Sequence, residues 1–391
     1  MKPRPVIVRA RSGASQRLVP LFVAGPLAAA LLLGAVPSRA ANGSRLLLGV
    51  GVSTWYDDNT LQYSADQIAL LDSGTRPERF SVESSDDPAL SSSVSLALND
   101  RLGKGRTRTI RVRGQGEFHQ NSRTADFRSG SLLWQEPIAR GTRLSLSGYY
   151  TPHFYLRQLR DDDITAVGAN PYRRAEFSLA IGALRWKQRV GRRTALETSY
   201  QFEHRGYNSD FVERTSDTHE GKLAWGWSRL GGRGSASVHG GYRASDARGA
   251  DGDETAGSLP DDPDVGYHGI LAGVDGIIDL EPHRARGFML GLGYELATRD
   301  YTSKVAGDTY HAGRKDVDHT LDASLRWSAR GGFAVRGFYR HETNDARLGG
   351  AAPATSDVGS FTENQVGVAV EWSKVLWRSS AEDVDSDDDT P

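Results

Sequence analysis

The stretch Arg111-Val-Arg-Gly-Gln-Gly-Glu-Phe-His119 carries a charged or hydrogen-bonding side chain at every second position: Arg111, Arg113, Gln115, Glu117 and His119. Alternate side chains of an extended chain point the same way, so these five share one face. The spacing recurs along the sequence. It sets His153 with Arg143 and Tyr149, Glu203 and Arg205 with Glu197 and Gln201, and His239 with Arg243. Further on it sets Asp275 with Asp279, Glu295 with Arg299, Asp322 with Arg326, and Arg336 with Arg340, and Glu371 stands in the last such segment. Both signs are interleaved. Opposite charges on neighbouring strands pair, and a wall of this kind holds water and suits neutral or weakly anionic polar solutes better than strict ion selection. The competing reading is that the pairs only brace a filled interior, as in narrow barrels.

Catalysis finds less support. The ten histidines are scattered singly, and no Ser, His and acid fall together on adjacent segments at one depth. The nearest cluster, Arg340-His-Glu-Thr-Asn-Asp345, sits at a segment end, where a lone histidine is a solvated rim residue. Gly49-x-Gly51 and Gly291-x-Gly293 lie inside alternating segments and are not phosphate loops. The acidic stretch 249–264 lacks the ligand spacing of a calcium loop. No catalytic residue, metal site or cofactor is expected, and a formal net charge of -1 gives no basic excess for a nucleic-acid partner.

The faces opposite these polar rows are apolar. Phe288, Leu290, Leu292, Tyr294 and Leu296 fall on one side of the 286–300 segment, while Gly291, Gly293, Glu295 and Arg299 fall on the other. Fourteen segments with this two-residue period run over 45–56, 89–99, 107–119, 125–136, 142–156, 174–188, 193–205, 217–229, 234–246, 266–280, 286–300, 315–328, 332–344 and 361–373. None shows a sustained helical stripe, which argues against β-α-β units. Two of them lose phase: the fourth, and the sixth, where Phe177, Leu179 and Ile181 agree and Leu184 and Trp186 do not, predicting a bulge near Gly182.

The connections sort by length. Odd-numbered segments are followed by long polar stretches, 120–124 being the short exception, and even-numbered ones by tight turns such as Pro137-Ile-Ala-Arg-Gly141 and Val190-Gly-Arg-Arg193. Trp134, Trp186, Trp227, Trp327 and Trp372 all fall near the tight-turn ends. Tyr56, Phe118, Tyr150, Phe154, Tyr200, Phe202, Tyr242, Tyr294 and Tyr339 lie toward the long-loop ends. Two aromatic rings bounding an aliphatic band mark the two head-group levels of a bilayer. The expected fold is therefore all-β: a single closed antiparallel transmembrane β-barrel of about 14 strands, with short periplasmic turns and long extracellular loops. Closure requires the first strand to pair with the last, because lipid cannot satisfy an open sheet edge.

Three segments complete the organisation. Residues 1–40 read as a cleaved signal peptide: Lys2, Arg4, Arg9, Arg11 and Arg17 precede an apolar run to Val36, and Ser38-Arg39-Ala40 supplies small residues at the cleavage-critical positions. Residues 41–377 form the barrel, and 378–391 an acidic, disordered periplasmic tail. The absence of cysteine excludes a lipid-anchored lipoprotein and a disulfide scaffold. The longest loop, 57–88, carries the apolar patch Ile68-Ala-Leu-Leu71, which disfavours water and makes this loop the candidate for folding into the channel.

On these residues the chain resembles bacterial outer-membrane β-barrel proteins of the porin-like class. The last segment, Gln365-Val-Gly-Val-Ala-Val-Glu-Trp372, looks like the insertion signal of that class, although the chain runs on past an aromatic end. The resemblance implies residence in the bacterial outer membrane with both termini periplasmic, contact with outer-membrane lipid and lipopolysaccharide, and assembly by the barrel-insertion machinery. The expected function is a water-filled passage for polar solutes. Two alternatives stand beside it: the exit channel of a secretion system, such as exopolysaccharide export with a periplasmic partner, and a structural or adhesive barrel with a filled lumen.

Overall fold

The structure, a computed structural model, describes residues 43–102, 106–161, 169–230, 233–248, 265–281, 287–303, 311–348 and 359–379. Residues 1–42, which include the stretch expected to be a signal peptide, the acidic stretch 249–264 and residues 380–391 lie outside the described residues.

Fourteen strands form one closed barrel in chain order. They are β1 (Arg45–Asp57), β2 (Asp87–Arg101), β3 (Thr107–His119), β4 (Phe127–Ala139), β5 (Thr142–Arg160), β6 (Tyr172–Arg189) and β7 (Thr194–Tyr207). The second half comprises β8 (Ser216–Leu230), β9 (Gly234–Ala247), β10 (Tyr267–Asp279), β11 (Gly287–Tyr301), β12 (Lys315–Ser328), β13 (Phe333–Arg347) and β14 (Phe361–Arg378). All neighbours are antiparallel. The wall closes where β1 meets β14, from Arg45 opposite Arg378 to Asp57 opposite Gln365.

The register fixes the faces. Phe288 lies opposite Trp327, Leu290 opposite Leu325 and Tyr294 opposite Leu321; the row continues from Trp327 to Val335, then to Val370 and Val52. These side chains point away from the barrel axis: Leu292 is 50%, Val368 47% and Trp327 36% exposed. So broad an apolar exterior is costly in water, at about 25 cal/mol per Å², and matches a hydrocarbon surround.

The two ends differ. Tight turns such as Arg140-Gly141 join the even strands to their successors. Gly141 has φ +83° and Gly331, in the β12–β13 turn, φ +78°, a region that glycine enters without a Cβ penalty. At the opposite end the 58–86 loop folds around a helix, α1 (Ala65–Asp72). Its Ser64 hydroxyl accepts from Gln67 N, and the Gln67 side-chain oxygen accepts from Ser64 N at 2.9 Å, a reciprocal cap.

The structure corrects four sequence expectations. β6 has no bulge at Gly182; its pairing with β7 runs unbroken from Phe177 to Arg189. The irregularities lie on β5, between Thr151 and Phe154 and between Tyr155 and Arg157. Leu184 and Trp186 therefore face outward, and Phe177, Leu179 and Ile181 face inward, because packing near the loop end rewards apolar side chains inside. The same β5 irregularity turns Phe154 inward, away from the outer aromatic ring, and leaves His153 in the bulge and out of the ladder. Finally, β14 continues to Arg378, five residues beyond the alternating pattern, through a register shift at Leu46/Leu47. Within 127–136 the β4 pairing is unbroken, with Leu132 and Trp134 outward and Leu133 between them inward; the one β4–β5 shift lies beyond it, between Glu136 and Ala139 at Pro137, which has no amide hydrogen to give a ladder.

Candidate functional site

Alternation fixes what faces the barrel axis. The register places Arg111, Arg113 and Glu117 on β3, and Glu203 and Arg205 on β7, opposite in sense to the exposed apolar side chains. The same holds for His239 and Arg243 on β9, Asp275 on β10, Glu295 and Arg299 on β11, Asp322 and Arg326 on β12, Arg336 and Arg340 on β13, and Glu371 on β14.

Several of these join into networks through partners the sequence reading did not single out. Arg243 Nε donates to Glu220 at 2.8 Å, and Lys222 Nζ lies 3.0 Å from Glu220 and 3.5 Å from Glu295. His239 continues the chain, 3.2 Å from Glu295 and 3.4 Å from Asp275. Arg299 grips Asp318 through Nε at 3.0 Å and a terminal nitrogen at 2.6 Å, and Arg326 reaches Glu371 at 2.9 Å. Glu220, Lys222 and Asp318 obey the same two-residue period, so the signal for them was present; only the cross-strand register was missing.

The loop end is packed. Phe127, Phe154, Phe177 and Tyr207 form a row with ring centroids 5.4, 5.1 and 5.0 Å apart, and the Arg205 guanidinium lies 5.5 Å over Phe177. Arg314 covers Tyr301 at 4.6 Å, and Asp316 and Thr151 are almost fully buried. Two buried apolar clusters of the described residues lie here: Leu61, Tyr63, Val82, Ala125 and Tyr155, with Ile68, Leu71 and Phe80 against them, and Leu159, Ala175 and Phe211. Ile68 and Leu71 thus find the apolar contacts their patch requires.

The 58–86 loop is pinned at both sides of its span. Asn59 Nδ2 donates to the Thr362 carbonyl at 3.0 Å, and Gln62 Nε2 to Glu363 at 3.0 Å, both on β14. At its far side Ser81 hydrogen-bonds the Tyr155 hydroxyl on β5, and Arg79 stacks over Tyr172 at the start of β6 at 5.9 Å. The loop therefore reaches from one flank of the rim past four strands to the other.

The tight-turn end holds a cavity. Its volume is about 1060 Å³, and it is lined by Arg106, Arg140, Arg143, Lys187, Arg189 and Arg193 together with Trp227 and small residues of β8 and β9, and Asp275, Gly276 and Ile277 of β10. Short hairpins bring these cations together, because Arg140 and Arg193 lie in the turns themselves and Arg143, Lys187 and Arg189 within the strands beside them. A second, smaller space of about 290 Å³ lies along the β14–β1–β2–β3 wall, where Gly49, Gly51, Ser93 and Ser95 leave room beside Arg111, Arg113, Arg326 and Arg336.

The outward faces carry the aromatic residues. Trp186, Trp327 and Trp372 are exposed at the tight-turn side, and Tyr56, Tyr150, Tyr200, Tyr242, Tyr294 and Tyr339 toward the loops; Trp134 and Trp227 share the outward phase of Leu146 and Leu223. Outward histidines accompany the tyrosines: the Tyr200 hydroxyl lies 2.6 Å from His219 Nδ1 and that of Tyr294 2.8 Å from His319 Nδ1. Around Arg340-His-Glu342 the alternation separates the side chains, Arg340 and Glu342 inward and His341 outward onto Asn364 at 2.8 Å. Among the described residues no cluster of three potential metal ligands occurs.

No family model and no curated protein sequence matches the chain. Among solved structures it is similar to a bacterial polysaccharide outer membrane secretin, at 10% identity and a TM-score of 0.43, covering 84% of this chain and 98% of that one. It is also similar to the outer membrane channel DcaP of Acinetobacter baumannii, at 11% identity and a TM-score of 0.42 over 86% and 99% of the two chains. An anion-selective porin from Comamonas acidovorans matches at 12% identity and a TM-score of 0.37 over 84% and 100%. At such values the fold of this chain rests on its own strand ladder.

Proposed function

We propose that the chain is a bacterial outer-membrane β-barrel channel for polar solutes, with the tight turns and both barrel termini on the periplasmic side. The observation that carries this reading is the inversion of the wall, apolar outside and charged inside, around a cavity at the tight-turn end. Two-sided polarity of this kind in a closed sheet places oil on the exterior and water along the axis. Passage is by diffusion, with the 58–86 loop and the aromatic row controlling the other mouth. Outer-membrane lipid, lipopolysaccharide and the barrel-insertion machinery are the partners this reading needs. Reconstitution into planar bilayers tests it: single-channel steps are expected, and a folded barrel, shown by heat-modifiable gel mobility, that never conducts would sink the proposal.

A second reading, the outer-membrane exit of a polymer-export system, draws on the volume of the tight-turn cavity, about 1060 Å³, which would receive a chain delivered from the periplasm. Polymer-export and glycosyltransferase genes beside this one would favour it, and a catabolic operon would favour the diffusion channel.

A further inference from the structure

We infer that the cavity at the tight-turn end is a receiving site for solutes bearing oxyanions, carboxylate or phosphate, and that it makes the channel prefer anions. This deepens the channel reading above and rests on it for transport, though not for binding.

Charge is balanced along β8–β12 but not in this cavity; Arg111, Arg113 and Arg336, on the other side of the barrel, also have no ion pair among the described residues. On β8–β12 the cations meet carboxylates: Arg243 with Glu220, Arg299 with Asp318 and Lys222 with Glu220 and Glu295. In the cavity, Arg106, Arg140, Arg143, Arg189 and Arg193 have no ion pair among the described residues, and the one carboxylate among its described lining residues, Asp275, lies 3.4 Å from His239, so five unpaired cations face a single acid. Lys187 shares Glu197 with Arg185, at 3.4 and 3.1 Å. Arg140, Arg143, Arg189 and Arg193 are exposed to the cavity solvent.

Their placement is contiguous, because they come from the short turns and strand ends of β3 to β7, so the positive groups form one arc facing Asp275 on β10. A concave surface of one sign within low-dielectric walls concentrates counter-ions, and the planar guanidinium fork fits carboxylate and phosphate oxygens. The volume, about 1060 Å³, exceeds that of sites which enclose ligands of a few hundred daltons, so a small organic anion enters with its water.

The test uses the full chain in planar bilayers under a KCl gradient. The native channel should favour chloride, and the triple variant Arg143→Ser, Arg189→Ser, Arg193→Ser should lower the chloride-to-potassium permeability ratio by about threefold or more. Arg347→Ser, on the outward phase at the loop end, should leave the ratio unchanged. Pyrophosphate added from one side only should reduce native current and not that of the triple variant. An unchanged ratio, or equal block of both proteins, overturns the inference. If a folded barrel passes no current, the channel reading falls instead, and calorimetric titration of pyrophosphate into the detergent-solubilised native and triple-variant proteins still decides the anion site: equal heats overturn it. Should the triple variant fail to fold, Arg143→Gln is measured in its place against the same criteria.

Discussion

The Tyr56 phenol donates a 2.7 Å hydrogen bond to Asp86, tying the outward face of β1 to the last residue of the loop before β2. Ser84 gives the same carboxylate a second hydroxyl, and these two bonds hold its pKa below the ordinary aspartate value. A depressed folded value means that the stabilisation is present above the unfolded pKa, about 4, and is lost as pH falls through the folded one. Acidification below about pH 4 should therefore loosen residues 81–86, read as faster amide exchange there. Asp86→Asn should abolish the step; an identical acid profile in that variant would refute the assignment.

Deleting residues 60–86 removes the span pinned to Glu363 at one side and Tyr155 at the other. If the loop narrows the mouth, single-channel conductance should rise by about twofold or more. Conductance equal to the native value would show that the loop rides on the rim without restricting flow.

Leu325 lies in the outward row opposite Leu290 and is 45% exposed. On a lipid-facing wall Leu325→Arg should destabilise the folded barrel by about 2–4 kcal/mol if the site is near mid-bilayer, measured by denaturant titration in lipid vesicles. A water-facing wall would tolerate the same change, so an unaltered midpoint would reverse the assignment of faces.

Gly367 on β14 faces inward beneath Trp55. A Cβ there would stand 2.5 Å from the Trp55 Cβ, 2.6 Å from the Phe338 ring and 2.6 Å from the Thr54 carbonyl. Because one of these obstacles is backbone, the crowding cannot be relieved by a rotamer change alone. Gly367→Val should cost about 1–3 kcal/mol and lower the temperature at which gel mobility shifts; a native-like temperature would mean the wall yields there.

Strand number, order and closure were legible in the sequence because two independent regularities, alternation and loop-length segregation, pointed to the same barrel. Alternation alone also gave the phase of Arg111, Glu295 and Arg340. It misled where its assumption failed. Phe177, Leu179 and Ile181 look like lipid-facing residues by composition, yet they point inward because the loop end of the barrel has packed, partly apolar contents of its own. The displacement of His153 and Phe154 follows from a two-residue irregularity on β5 that no single-strand pattern encodes. The basic cavity was missed for another reason. Its arginines lie mostly in or beside turns, and only the curvature of the closed wall brings Arg143 and Arg193 to one mouth.

The pairing of Arg45 with Arg378 has a temporal consequence. A ribosome makes β1 first and β14 last, so the chain spends nearly all of its synthesis with the partner of its first strand not yet in existence. Until then thirteen residues of β1 have backbone amides and carbonyls on one side with nothing to bond but water or a stranger. Insertion into oil before that moment would strand both borders of the curved sheet, so this molecule has to travel unshut and seal late.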